Sequence, residues 1–591
     1  MPKKNIFILT FLYLFSLESI TKDINDYVHT SSGKVQGYLK NKIINYNDIP
    51  YAKPPVGELR WKAPREIIDS NIIIVEKDNN FCIQEPSSMG GAQGENLFVG
   101  TEDCLYLDIK KPRKKSSELL PVMFWIHGGG NTSGLKDLYD YSKMVHRHDV
   151  IVVTINYRLG PFGWFTHPAI QDNQEGVDKT SNFGTLDIIK ALEWVNKNIE
   201  LFGGDSNNIT IFGESAGGHN VLSLLVAPQA NGLFNKAISQ SGYTTSVSTK
   251  QAFAIEESSP LFDHTSREVV KRLFTSHEKL SSKNLNSLLL GLSEEEFFSE
   301  YLDKSNLEIP LLTNDGIVIP IEGLENALGN SNYVSDIPFM AGSNRDEVKL
   351  WLGVAEYFVE SNFSFLGSIL GIPRITLKDE DAFEAFNYYR SEAWRVRGVV
   401  EPISALNKVG NKNTYAYKFD WDDHRRIIVA DFKKLIGASH GTEIPLITGN
   451  NKLVGSQFGF FIYPSGPSKK FISKNMMLFW SNFAKKGNPG TSTSGVSWDA
   501  FDFFKGQTNY MILDNKKNMK LINLDVTYKK LVEELNLDTR VNELEKCVIL
   551  YQIGTFVGND IFDEISKYAN FSCTREDSKK FLEDNAGYIS Y

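Results

Sequence analysis

Three stretches of this chain are apolar at almost every position rather than at alternate ones: Pro121-Val-Met-Phe-Trp-Ile126, Val150-Ile-Val-Val-Thr-Ile155 and Ile209-Thr-Ile-Phe212. A strand with one wet face alternates apolar and polar residues. A strand without that alternation is buried on both faces, as in parallel sheets covered by helices. Between the second and third runs the period changes. Ile188, Ile189, Leu192, Val195 and Ile199 recur at the spacing of one helix face. Two-faced strands alternating with amphipathic helices predict an α/β fold: a central, mostly parallel sheet flanked by helices. Residues 250–330 and 355–430 are richer in charge and in helical periodicity. They read as large helical insertions over the sheet, forming walls and a cap.

The chain has 591 residues, 41% of them hydrophobic, which is ample for a large core. No Pro/Ser-rich linker, charge block or repeat divides it, so one domain is expected from residue 22 to residue 591. The N-terminus pairs Lys3 and Lys4 with an apolar run from Ile6 to Leu17, followed by Ser19-Ile20-Thr21. This is the layout of a secretory signal peptide, here residues 1–21. The run is shorter than the ~20 residues that span a bilayer. No later stretch is long enough either, so no integral membrane segment is expected. A net charge of −9 with no basic stripe argues against a nucleic-acid partner. Four cysteines, Cys82, Cys104, Cys547 and Cys573, fit an oxidising compartment. Sequence allows three pairings, of which Cys82–Cys104 with Cys547–Cys573 closes the shortest loops. Glycosylation sequons begin at Asn131, Asn208, Asn362 and Asn570. The first two lie in motifs that should be crowded, so Asn362 and Asn570 are the better acceptors.

The candidate chemistry begins where the third apolar run ends, at Gly213-Glu214-Ser215-Ala216-Gly217. In a G-x-S-x-G turn the serine sits between strand and helix, and the glycines are needed where any Cβ would collide with neighbouring backbone. A serine hydroxyl is a poor nucleophile at neutral pH. It needs a base, an acid to orient that base, and amide donors for a developing oxyanion. Ile126-His127-Gly128-Gly129-Gly130 ends the first buried strand and can present backbone N–H groups. The amide of Ala216, the residue after the serine, would join them. For the base, His219 is too close along the same helix and reads as packing. His264 and His277 lie in charged insertion sequence, and His424, between Asp422-Asp423 and Arg425-Arg426, reads as a solvated turn. His440 alone has the small neighbours of a loop at a crowded site, Gly437-Ala-Ser-His440-Gly441. For the acid, Ile337-Pro-Phe-Met-Ala-Gly342 reads as a strand ending in the polar loop Ser343-Asn-Arg-Asp346-Glu347. Composition does not choose between Asp346 and Glu347.

At this point the chain resembles the type-B carboxylesterase family, the α/β-hydrolases that include cholinesterases. Matching stretches run through nearly the whole mature chain: Ile49 to Gly57, Glu102 to Leu107, Trp125 to Gly130, Asn156 to Gly160, Phe202 to Asp205, Gly213 to Gly218, Gln240 to Gly242 and Trp480 to Ala484. The resemblance implies an α/β-hydrolase fold and a secreted serine carboxylic-ester hydrolase acting on a small-molecule ester, with no metal or cofactor. It implies Ser215 as nucleophile, Glu347 as acid and His440 as base. Gly129, Gly130 and Ala216 would be oxyanion donors, with Glu214 and Ser241 in a supporting polar network. It also implies the Cys82–Cys104 disulfide, around a loop near the site entrance. Cys547 matches the family's last cysteine, but its usual upstream partner is missing, leaving Cys573 to replace it or one of the two to bond another chain. Residues 83–103 contain no tryptophan, where cholinesterases carry one that binds choline. A general carboxylesterase is therefore expected ahead of a cholinesterase or a lipase. The other reading is a non-catalytic, neuroligin-like adhesion protein. Every triad position is kept and no transmembrane helix is expected, which favours the enzyme. Oligomeric state is not legible.

Overall fold

A computed structural model describes residues 22–591 apart from 69–72, 88–89, 114–116, 255–263, 276, 303–310, 363–373, 428–429, 452–458, 460–461, 557–559 and 586–591. The expected signal peptide, residues 1–21, lies outside the described residues.

The two-faced apolar runs become neighbouring strands of one 13-stranded sheet. In chain order its strands are β1 (Lys22–Thr30), β2 (Gly33–Lys40), β3 (Ile43–Pro50), β4 (Tyr106–Pro112), β5 (Leu120–Ile126), β6 (Ile151–Ile155), β7 (Gly204–Glu214), β8 (Lys236–Gln240), β9 (Phe339–Asn344), β10 (Thr414–Phe419), β11 (Asn509–Leu513) and β12 (Lys520–Asn523), with Ile73–Ile74 paired to β2. The spatial order is β1-β2-β3-β4-β6-β5-β7-β8-β9-β10-β11-β12. From β6 to β11 neighbouring strands run parallel; β1 to β4 and β12 add antiparallel edges.

Side chains on the central strands divide by parity. On β5, Val122, Phe124 and Ile126 enter one core layer, while Met123 and Trp125 enter the other. Helices α1 (Phe183–Asn198) and α2 (Ala216–Val226) cover the first layer with Ile188, Leu192, Val195, Val221 and Leu222. Helices α3 (Glu380–Arg395), α4 (Pro467–Lys486) and α5 (Glu543–Gly554) cover the second. All these residues on β5 are fully buried, and burying each large apolar side chain contributes roughly 1.5–3 kcal/mol. This is why a continuous apolar run is stable only in the middle of such a sheet.

Residues 250–330 add short helices and a short strand, Thr313–Asn314, that pairs with Val247–Ser248 just before them, but no strand of the central sheet among the described residues. They form a third core, in which Val269, Leu289 and Phe297 pack with Trp61 and Phe165. The stretch 355–430 differs from the expectation at its end. It holds α3, but it also holds β10, which pairs in parallel with β9 and β11. Tyr415, Tyr417 and Phe419 are buried there, so this segment is a central strand and not a covering insertion. Cys82 pairs with Cys104 and Cys547 with Cys573. Among the described residues no helix is long and apolar enough to cross a membrane.

Candidate functional site

The carboxyl ends of the parallel strands gather the candidate residues, as expected for an α/β sheet. β7 ends at Glu214, and Ser215 stands between it and α2 with φ 59° and ψ −124°. A non-glycine residue there carries roughly 1–3 kcal/mol of strain. Ser215 N–H donates to the Gln240 carbonyl at 2.8 Å, and its own carbonyl accepts from His219 N–H at 2.9 Å, which fixes the turn from both sides. The flanking glycines are required by contact. A Cβ at Gly213 would lie 2.5 Å from the Gly217 carbonyl carbon, and one at Gly217 would lie 2.1 Å from the Ile126 carbonyl oxygen.

The loop after β5 lies against this turn. A Cβ at Gly128 would be 2.6 Å from the Glu214 carbonyl oxygen and 3.0 Å from Ser215 Cβ. Gly129 and Gly130 turn through φ 101° and 63°. Tyr157 braces the loop: its hydroxyl donates to the His127 carbonyl at 2.7 Å and its ring stacks on His127 at 4.4 Å. Asn220 of α2 donates to Asn131 Oδ1 at 2.8 Å, tying the loop to the helix that begins at Ala216. Asn131 is fully buried and cannot carry a glycan; Asn570 is exposed.

Asp346 and Glu347 turn to different partners. Asp346 faces away from His440: it pairs with Arg345, and accepts from Asn387 at 2.8 Å and from Ala438 N–H at 2.9 Å. Burial raises its pKa, but Arg345 and Lys349 outweigh that and leave it at about 2. It is an ionised brace for the loop that carries His440. Glu347 is fully buried. Its Oε1 accepts from Ser241 Oγ and from Asn344 N–H, each at 2.7 Å, and its Oε2 lies 2.7 Å from His440 Nδ1. The opposite ring nitrogen, His440 Nε2, faces the serine turn, 3.2 Å from Glu214 Oε1.

Burial opposes charge on His440, but Glu214, Glu347 and Glu443 outweigh it and raise its pKa above the ordinary 6.5. Burial pushes Glu214 up in turn, with Glu443 and Glu347 adding to the rise and His440 opposing it. The carboxylates around the ring therefore favour the imidazolium that forms when His440 takes up a proton. Glu443 is the member that sequence reading left without a role. Its oxygens accept from Asn344 Nδ2 at 2.7 Å and Gln240 Nε2 at 3.2 Å, and Gln240 is held by Trp480 Nε1 at 2.9 Å. A carboxylate three residues after a candidate base was the available signal.

Two of the other candidate histidines, His219 and His424, are structural. His219 is buried as packing against Tyr243, at 4.4 Å, with Nε2 on the Thr245 carbonyl. His424 is not on a solvated turn. It is buried between the carbonyls of Ile462 and Gly437, the latter at 2.7 Å, so it steadies the loop that leads to His440. The charged neighbours Asp422 and Arg425 suggested exposure, but the ring itself points inward. Among the described residues no group of three or more His, Cys, Asp or Glu side chains could hold a metal ion.

A family model described as the carboxylesterase family matches residues 25–368 and 376–531. The para-nitrobenzyl esterase of Bacillus subtilis (strain 168) is 32% identical over 515 residues, covering 83% of this chain and 95% of that relative. The juvenile hormone esterase of Tribolium castaneum is 30% identical over 539 residues, covering 81% and 86%. Among solved structures, a PNB esterase superposes with a TM-score of 0.64 at 27% identity, covering 85% of this chain and 97% of its own.

Proposed function

Since this chain belongs to the carboxylesterase family and is a carboxylic ester hydrolase, we propose that it works through Ser215, His440 and Glu347 by way of an acyl-enzyme. His440 Nε2 takes the proton as Ser215 Oγ attacks the ester carbonyl. Glu347 keeps the other proton on Nδ1 and stabilises the imidazolium. The tetrahedral oxyanion accepts hydrogen bonds from the N–H groups of Gly129, Gly130 and Ala216; losing one such donor costs roughly 10²–10³ in rate. The alcohol leaves with the proton from Nε2, and water repeats the steps to release the acid. Glu214 and Ser241 support the base and the acid. The observation that carries this reading is the 2.7 Å contact of Glu347 Oε2 with His440 Nδ1, with Nε2 left on the side of Glu214, the residue before the serine.

The substrate proposed is a small, uncharged carboxylic ester, because residues 83–103 lack the tryptophan that would bind choline. The two disulfides fit the proposed secretion of a single domain from residue 22, with Asn570 as a sugar acceptor. A fluorophosphonate probe should label Ser215 in the folded protein and fail on Ser215→Ala. Equal labelling of the two would overturn the mechanism. Hydrolysis of nitrophenyl esters of rising chain length should exceed that of acetylthiocholine; the reverse would overturn the substrate reading.

A further inference from the structure

Trp394 reaches His440 from the last turn of α3. Their ring centroids are 4.6 Å apart, with the planes at 37°. The indole is held on several sides. Its Nε1 donates to the Ser241 carbonyl at 3.0 Å. Phe556 packs on it at 4.7 Å, and Trp351 stacks on it at 6.0 Å, itself 5.3 Å from His440. Just beyond Trp394 the helix widens into a π turn, Val396–Val400, and Gly398 in that turn lies flush on Gly242: a Cβ there would be 2.2 Å from the Gly242 carbonyl oxygen. The contacts close a ring. His440 touches Glu347, Glu347 accepts from Ser241 Oγ, the Ser241 carbonyl accepts from Trp394, and Trp394 faces His440.

We propose that Trp394 is a positioning residue for ester hydrolysis, holding His440 toward Ser215 and stabilising its imidazolium, and that the disulfide-closed C-terminal segment acts on the site through it. The proposal rests on the Ser215–His440–Glu347 reading above. A cation within ~6 Å of an aromatic face is attracted to the ring quadrupole, most strongly when water is excluded. Here Trp394 is 4% exposed and His440 9%. The imidazole gains its charge as the serine proton transfers, so this attraction acts on the transition state more than on the bound substrate. The other charged groups facing His440 are Glu214, Glu347 and Glu443, all carboxylates. An indole adds stabilisation of the cation without adding a competing base. Phe556, which backs the indole, lies between Cys547 and Cys573, which are joined. That segment lies beyond residue 531, where the family match ends.

The test is steady-state hydrolysis of nitrophenyl acetate by the full chain across the acid limb of the pH profile. Trp394→Leu is expected to lower kcat about five- to thirtyfold with KM unchanged, the range of a desolvated cation–π contact. The acid limb of kcat/KM should also move to lower pH, because the imidazolium has lost a stabiliser. Trp394→Phe, which keeps a π face, should recover most of both effects. Wild-type kcat and limb in Trp394→Leu, or equal behaviour of the two variants, would overturn the proposal. Phe556→Ala leaves the indole in place but unbacked, and keeps the test alive should Trp394→Leu not fold. It should give a smaller loss with the same direction of limb shift, and unchanged kinetics there would overturn the role of the C-terminal segment. Ser215→Ala separates the two levels. Full activity in that variant defeats the catalytic reading itself; its loss alongside wild-type behaviour of Trp394→Leu defeats only this inference.

Discussion

Replacing Glu347 by glutamine changes one atom of the site, and the hydrogen bonds around it dictate the outcome. Oε1 receives two donors, the Asn344 backbone N–H and Ser241 Oγ–H. The hydroxyl can rotate, but the backbone N–H cannot. If the amide turned its NH₂ toward Asn344, two donors would meet in a fully buried site, at a cost of about 1–3 kcal/mol. The amide oxygen must therefore take the Oε1 position, and the NH₂ must face His440 Nδ1. Nδ1 then has to accept, so the ring proton moves to Nε2, the nitrogen that should take the proton from Ser215. An amide in this orienting position lowers kcat by about 10⁴ in a serine–histidine pair, equivalent to about 5 kcal/mol of barrier. Packing is unchanged, so KM and the thermal midpoint should stay close to wild type. The assay is nitrophenyl acetate turnover, with fluorophosphonate labelling rate as a second reading of Ser215 reactivity. A loss of less than tenfold in kcat, or a loss expressed in KM alone, would refute the assignment of Glu347 as the orienting acid.

Glu214→Gln removes the carboxylate 3.2 Å from His440 Nε2, which helps raise the imidazole pKa. The acid limb of kcat/KM should shift to lower pH, and a limb that stays in place would contradict that influence. Gly217→Ala puts a Cβ 2.1 Å from a backbone oxygen that cannot rotate away. Folded yield should collapse, whereas Gly232→Ala, with open space around it but φ 78°, should cost only about 1 kcal/mol; comparable melting temperatures for the two would be the contrary result. Burial lowers the pKa of His127 and of His219 from 6.5 to about 4. A base with a depressed folded pKa binds its proton first in the unfolded chain, so its stabilising contribution is present above pH 6.5 and is lost as pH falls toward 4. Each should forfeit about 3 kcal/mol at the low end. Denaturant midpoints against pH should show the decline, and His219→Gln should flatten it by about one proton's share; an unchanged slope would count against the buried, neutral ring.

Some of this molecule is local and was therefore legible residue by residue. Apolar runs such as Val122–Ile126 can only be buried on both faces, so they predict the centre of a parallel sheet wherever the rest of the chain goes. Gly213 and Gly217 are needed because of atoms a few residues away or on the adjoining strand, and the motif itself encodes that collision. The order of serine, acid and histidine likewise survives in one dimension.

What tertiary structure decided are the relations between residues far apart in the chain. Asp346 and Glu347 are chemically almost the same in sequence. Only the direction of their side chains at the end of β9 sends one to Arg345 and Ala438 and the other to His440, 93 residues on. The flanks of His424 are charged, yet two backbone carbonyls draw its ring inward. β10 was hidden in a charged segment because its partners, β9 and β11, lie far away on either side in sequence. Trp394 meets His440 only once α3 packs over the sheet, with Phe556 behind it. Periodicity records which face of an element is buried; it carries no record of which distant side chain will be waiting there.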